Sequence, residues 1–318
     1  MVAPRERTKS LMVVATLCLF ACERKAAARG NDSVELPPSL AATEGDTVVV
    51  PSSWRASDGP FLVVATEDVH VVSLVVPEGA ASGTDSAPTV PGPIARLLRG
   101  AVDLLGRGGL IARATLQPRE FAQRRECAWP RFSIEVRDSR GDDVHWGVGF
   151  AAAVAVPVAL DSLERLSHAD SVRLVADLAR IASAMPDDSV AVFRGIPFSV
   201  RGAWMFAPAR GAIAVIAEIS RRVAQEANQR EERLLLLAER DSAAGSRWQA
   251  RWWARVNGSE ETVEATDALA VVRMARDPWP TLVVGHDVPM EPWLEFVARD
   301  SVGAWRRRWR SGAGSGCP

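Results

Sequence analysis

Lysine and tyrosine are all but missing from this chain: its only lysines are Lys9 and Lys25, and it has no tyrosine, whereas arginine, alanine, valine and glycine abound. That skew marks a GC-rich coding sequence, and it lowers the weight of arginine richness as a sign of function. A formal charge of −1 over 318 residues leaves no global basicity for nucleic acid and no acidic excess for a disordered chain. Strong catalytic signatures are absent too: there is no Gly-x-Ser-x-Gly elbow, no Walker loop, no His-Glu-x-x-His and no dinucleotide fingerprint. No cofactor is implied. The longest uncharged run, Trp146 to Leu160, has fifteen residues broken by Pro157, too few for a membrane helix, and is expected as a buried strand. Hydrophobic residues make up 47% of the chain, enough to bury one large core or two ordinary ones.

What is present begins at the N-terminus. Arg5, Arg7 and Lys9 precede an eleven-residue apolar run, Leu11 to Ala21, too short to span a bilayer. That is the pattern of a secretory signal. It stops at Leu19-Phe20-Ala21-Cys22, which resembles the lipobox of bacterial lipoprotein signal peptides. The resemblance covers residues 1–22 only, and Phe20 departs from the small residues usual at its position. It implies that Cys22 is lipidated through its sulfur and becomes the first residue of the mature chain. Several acyl chains on one residue give stable membrane attachment, where a single chain is marginal. The other reading is an ordinary signal peptide cut near Ala21 or Ala28. Glu23 stands where an Asp retains some lipoproteins at the inner membrane, so the resemblance implies a bacterial cell-envelope protein, with the outer membrane favoured.

Cys18 would leave with the signal and Cys22 would take the lipid, so the mature chain keeps Cys127 and Cys317. In an oxidising compartment two remaining thiols most simply pair. Such a disulfide would close a loop of 190 residues, stabilising the fold by roughly 5 kcal/mol in the chain-entropy model. The alternative is two inert thiols. Two lone cysteines without Cys-x-x-Cys spacing or a neighbouring histidine make no metal site, and none is expected.

Residues 1–21 thus read as a signal and residues 22–45, polar and proline-punctuated, as a tether. A β-rich half follows over 46–157, with short β-branched runs around Val48, Phe61 to Thr66, Val69 to Val76, Leu110 to Leu116 and Phe132 to Val136. Residues 77–93 are expected as a loop and Ile94 to Leu105 as a short helix. The segment 158–188 carries the clearest helix: Ser167 with Asp170 as its cap, Leu174, Leu178, Ile181 and Met185 on one face, and Pro186 as its stop. From 189 to 318 the pattern is an antiparallel meander: Val190 to Phe193, Ser199 to Phe206, Ala212 to Val223, Leu234 to Ala238, Trp248 to Val256, Thr262 to Met274, Thr281 to Val284, Leu294 to Arg299 and Ala304 to Arg310. Asn257-Gly258 gives a hairpin signal. The fold class is therefore α+β, β-dominant, with antiparallel sheets in a sandwich or open barrel around one central helical segment. An incomplete β-propeller is the alternative, because Pro280 to Gly285 resembles the strand core of some propeller repeats.

Seven of the eleven tryptophans follow residue 247. Strict alternation puts Trp248 and Trp252 on one strand face and Trp253 on the other, and puts Trp305, Arg307 and Trp309 on a shared face. Trp253, Trp305, Arg307 and Trp309 are accordingly the candidate ligand-binding residues, since exposed indoles stack on sugars or cations. The bland reading is that the indoles fill the core. Arg306, Arg307, Arg308 and Arg310 form the densest positive charge, suited to phosphate or simply to a solvated strand. Of the four histidines (His70, His145, His168, His286), His286 with Asp287 is best placed for acid–base work, while His70 is expected half-buried. Glu226, Glu239, Asp241, Glu260 and Glu261 could furnish a carboxylate pair for glycoside hydrolysis. Arg140-Gly141-Asp142 spells an adhesion tripeptide but reads most simply as a turn. Two functions remain: a non-catalytic envelope module that binds a glycan, a lipid head group or a protein, or a secreted glycan-directed hydrolase using Asp/Glu or His-Asp chemistry.

Overall fold

Short runs of β-branched residues and leucine, cut by glycine and polar turns, fold here as antiparallel strands, each burying alternate residues. The structure is a computed structural model; it describes residues 61–65, 70–75, 100–117, 129, 131–139, 145–186, 191–223, 229–243, 245–259, 262–275, 277, 279–288 and 292–314. All of these belong to one compact unit, Thr43–Pro318.

Six strands form a closed barrel: β1 (Leu62–Ala65), β2 (Val71–Leu74), β3 (Ala101–Gly106), β4 (Gly109–Gln117), β5 (Arg131–Ser139) and β6 (Val148–Ala151), in the order β1-β2-β5-β4-β3-β6. β6 closes it by pairing with both β1 and β3. Gly149 makes this closure feasible, because a Cβ there would come within 2.8 Å of Val63 and 2.9 Å of Leu104 inside the barrel. Where Ile94 to Leu105 was expected as a helix, residues 101–106 are β3, whose neighbours β4 and β6 satisfy its backbone. Residues 94–99 lie outside the described ones. The run Trp146 to Leu160 is not one strand either. A turn at 152–154, with Ala153 in the left-handed region (φ 66°), divides it into β6 and β7 (Ala155–Pro157), which serve different sheets.

The rest of the chain builds two five-stranded meanders. One holds β8 (Asp161–Ser162), β9 (Ser199–Phe206), β10 (Ala212–Val223), β11 (Arg230–Asp241) and β12 (Gln249–Ser259); the other holds β7, β13 (Ala265–Met274), β14 (Pro280–Asp287), β15 (Trp293–Arg299) and β16 (Trp305–Arg310). Both are antiparallel throughout. The fold is β-dominant, as expected, and it is stacked sheets with a closed barrel rather than a propeller. Two local expectations fail. Ala191–Phe193 is a short 3-10 turn, and Asn257 and Gly258 lie within β12, because β11 extends to Arg230 and pairs with them.

Helix α1 (His168–Ala184) starts where Ser167 Oγ accepts the Asp170 N–H at 3.2 Å, and it stops at Met185, whose extended backbone is what a following proline favours. Its buried face, Leu174, Leu178 and Ile181, packs with Val215, Ala217, Ile219, Leu234 and Leu236 of the first meander. Each such leucine stabilises the fold by about 2 kcal/mol through burial. The opposite face of that meander (Ile216, Leu235, Leu237) meets Val271, Leu282, Val284 and Val297 of the second. The second meander's other face (Ala270, Val272, Val283, Phe296) joins the barrel core of Leu62, Leu104, Phe132 and Phe150. Four layers result: barrel, sheet, sheet, helix. The central strands β10, β11, β14 and β15 thus carry long runs buried on both faces, which leaves polar chemistry to the layer edges.

Candidate functional site: charged clefts at the sheet edges

Where the two meanders separate, the alternating strand positions that elsewhere carry leucine carry charge. Glu218 on β10, Glu231 and Arg233 on β11, the bulged Arg201 on β9, and Thr266 and Asp267 on β13 line a cleft of about 210 Å³. Glu231 is almost fully buried and faces three guanidinium groups, Arg233 at 3.0 Å, Arg222 at 3.5 Å and Arg201 at 3.9 Å. Glu218 accepts a hydrogen bond from Arg107, which comes from the β3–β4 turn of the barrel. Arg107 also donates to the carbonyl of Ala268 at 2.8 Å and lies 4.0 Å over the Trp204 ring, so one side chain bolts the barrel to both sheets. Burial raises the Glu218 carboxyl above its ordinary range; Arg107 opposes this and Asp267 adds to it.

Beside this cleft stands His286, buried between two carboxylates: Nδ1 is 2.5 Å from Glu264 and Nε2 is 3.1 Å from Glu295. Both contacts are hydrogen bonds donated by the ring only when it carries both protons. The imidazole stacks on Trp293 at 3.5 Å, and Arg310 lies 4.1 Å over the same indole. Asp287, the partner expected from sequence, is exposed, because consecutive strand residues point to opposite faces. His286 is therefore held by groups 22 and 9 residues away, not by its neighbour. His70, His145 and His168 are exposed; His70 precedes β2 rather than sharing its buried face.

The tryptophan face expected at the C-terminus does not form. Trp305 is only 4% exposed and donates its indole N–H to Glu239 at 2.8 Å, while Trp309 stacks on Phe296 at 4.5 Å in the barrel-side core. They lie on opposite faces because β16 carries a bulge: Trp309 pairs with Phe296 and Arg307 with Val297, leaving Arg308 as the extra residue. An identical event on β12, where Arg251 is extra, puts Trp248 in the helix-side core and Trp252 in the inter-sheet core. Trp253 alone of the candidates is an exposed indole, at 43%. The arginines are engaged as well: Arg306 with Asp300 at 2.9 Å, Arg307 near Glu295 at 3.8 Å, and Arg308 on the carbonyl of Arg299.

Glu239, one of the carboxylates singled out for hydrolysis, is buried between Arg299 at 2.5 Å and Trp305, with Arg251 at 3.5 Å. It joins the two sheets instead of facing a cleft. Asp241 is exposed at the end of β11. Cys22, Cys127, Cys317, Glu226, Glu260, Glu261 and Arg140 to Asp142 lie outside the described residues.

A second cleft, of about 340 Å³, opens where α1 ends against the loop before β9 and is lined by Met185, Arg194, Phe198, Arg221 and Arg255. Arg221 is held behind it by Glu232 at 2.5 Å and by the carbonyl of Phe193. Sequence reasoning missed both clefts. Their one local signal is a charge set inside an apolar strand, as in Glu218 within AIAVIAEIS or Glu231 and Glu232 ahead of a leucine run. Among the described residues no helix is long and apolar enough to cross a membrane, and no group of His, Cys, Asp and Glu could hold a metal ion. Compared with models of known protein families, with curated proteins and with solved structures, the chain matches none.

Proposed function

We propose that the chain is a lipid-anchored protein of the bacterial cell envelope, outer membrane favoured, whose folded part is a non-catalytic binding module for an envelope glycan. Leu19 to Cys22 support the anchor. For the module, the observation that carries the reading is the neutralisation of the inter-sheet cleft: Glu218 is held by Arg107, and Glu231 by Arg201, Arg222 and Arg233. Carboxylates already bound to guanidinium groups offer acceptors to sugar hydroxyls, and the guanidinium groups offer donors, but carboxylates so held are poor proton shuttles. Trp204 beneath Arg107 gives that cleft a built-in fluorophore. Titration of the full chain in non-ionic detergent with peptidoglycan fragments should give a saturable emission change that is lost in Arg201→Ala/Asp267→Ala. Identical titration curves for this variant and wild type would sink the assignment of the cleft. Acyl labelling that persists in Cys22→Ala would sink the anchor.

Glycan hydrolysis in this same cleft is the second reading, favoured by one observation. Glu218, raised by burial, shares the cleft with Glu231 and Asp267, so an acid and a base type of carboxylate lie in one place. Release of reducing ends that disappears in Glu218→Gln would establish it and replace the first reading.

Pairing of Cys127 with Cys317 belongs to the same proposal. Two residues after the first, Trp129 packs so closely on Gly314, three residues before the second, that a Cβ on Gly314 would lie 2.8 Å from the indole. Thiol labelling of the denatured chain should find neither cysteine until it is reduced.

A further inference from the structure

Buried carboxylates elsewhere in the described residues are tied by arginine, whose charge is permanent: Asp103 by Arg113, Glu231 by Arg233, Glu232 by Arg221 and Glu239 by Arg299. Glu264 and Glu295 share a histidine instead. The His286 side chain stands between them, only 4% exposed, with Nδ1 2.5 Å from Glu264 and Nε2 3.1 Å from Glu295. Imidazole is the side chain that gains and loses its charge near neutrality.

Two hydrogen bonds need two protons among these three groups, one on each side of the ring. A charged ring supplies both. Once one proton leaves, one of the contacts sets a nitrogen lone pair against a carboxylate oxygen. Burial decides which contact fails. The Glu295 side chain is 5% exposed and also has Arg307 at 3.8 Å, whereas Glu264 is 24% exposed and finds no partner but His286 among the described residues. Water takes up Glu264 readily, while Glu295, sealed from water, keeps the remaining ring N–H. The ring itself is held by its stack on Trp293 at 3.5 Å, so the carboxylate moves and the imidazole stays.

The other charged groups around the ring come from four elements. On β14 Asp287 is exposed and points to the opposite face. On β16 Arg307 lies near Glu295, and Arg310 lies 4.1 Å over the Trp293 indole. β13 sets Thr266, which does not titrate, opposite His286, with exposed Asp267 beyond it. The facing sheet brings Arg201, Glu218, Glu231 and Arg233 to the cleft that Thr266 lines.

We infer that His286 is a proton-operated latch, which ties Glu264 and with it the start of β13 to β15, and lets go when the ring loses a proton. Glu264 joins the turn at Ser259 to β13, whose Thr266 and Asp267 line the inter-sheet cleft. The latch therefore sets how firmly one wall of that cleft is held, whatever the cleft binds.

The test combines imidazole 15N NMR with amide hydrogen exchange of the full chain in non-ionic detergent, from about pH 5 to about pH 9. The amides of Thr262 and Val263, which donate to the Ser259 carbonyl at 3.1 and 2.9 Å just before Glu264, report on the release. As pH rises, His286, assigned by its loss in His286→Gln, should go from two ring N–H groups to one. Protection of the two amides, corrected for intrinsic exchange, should fall roughly tenfold over the same range. Glu264→Gln should keep its protection throughout, because the new amide donates to the nitrogen that has lost its proton. Glu264 is partly exposed, so this variant keeps the fold even if His286→Gln does not. Protection in wild type that is unchanged with pH, or that falls equally in Glu264→Gln, would overturn the inference.

Discussion

The two clefts are built from the same residue types, arginine and glutamate, but bury them differently. Between the sheets, carboxylates stand among arginines that reach in from half-exposed positions; at the end of α1 the acid found among the described residues, Glu232, is sealed behind the wall with the nearly buried Arg221, and Arg194 is exposed. Position on the strand decides this. Glu231 and Glu232 are consecutive on β11, so alternation sends one to the inter-sheet face and the other to the helix face. Adjacent glutamates therefore belong to different clefts.

The sharpest way to break the comparison is to remove the buried acid. Glu232 is fully buried, Arg221 nearly so, and Oε1 of Glu232 has no partner. Glu232→Gln removes the fully buried carboxylate to which Arg221 donates and should lower stability by about 3–5 kcal/mol, read as a shift of the urea midpoint. Much of that loss should return in Arg221→Met/Glu232→Leu, because a buried pair costs desolvation that an apolar pair does not. A double variant as unstable as the single one would show that the ion pair itself holds α1 and β11 in place.

Its neighbour gives the weaker counterpart. Glu231 is as buried as Glu232, but its partners Arg201, Arg222 and Arg233 are 59%, 41% and 35% exposed. Water takes them up when the acid is lost, so Glu231→Gln should cost only about 1–2 kcal/mol. A loss equal to that of Glu232→Gln would mean that the inter-sheet cleft is closed to solvent, and the comparison would fail.

How much of this was legible in the sequence follows from how local each signal is. Helix α1 was readable end to end, since Ser167, the Leu174-Leu178-Ile181 face and Pro186 each act within a few residues. Strands β9 and β10 fall where their β-branched runs put them, Ser199–Phe206 and Ala212–Val223. What failed was parity. A single bulged residue, Arg251 on β12 or Arg308 on β16, moves every later side chain to the other face, and nothing in either residue announces it. That is why Trp305 and Trp309 looked like one face and are two cores. The clefts were out of reach for a different reason. Arg107 and Glu218 are 111 residues apart, and they meet because a barrel turn reaches the inter-sheet layer, a fact of topology and not of spacing.

The smallest effect separates the clefts by pH. Glu218 has its proton affinity raised in the folded protein, by burial first, with Arg107 opposing and Asp267 adding. From the ordinary value of 4.5 up to the raised one, the folded state therefore binds more protons at this site than the unfolded chain does. Stability must fall as pH rises through that window, the reverse of a carboxylate held by a dominant salt bridge. Glu218→Gln cannot titrate, so the stability of wild type relative to this variant should be greatest below pH 4.5 and decline above it. Urea midpoints of the two proteins, measured in parallel across the acid range, give the slope directly. A slope of the other sign would mean that Arg107 outweighs burial, which would make Glu218 a permanently ionised strut and leave the cleft without an acid for hydrolysis.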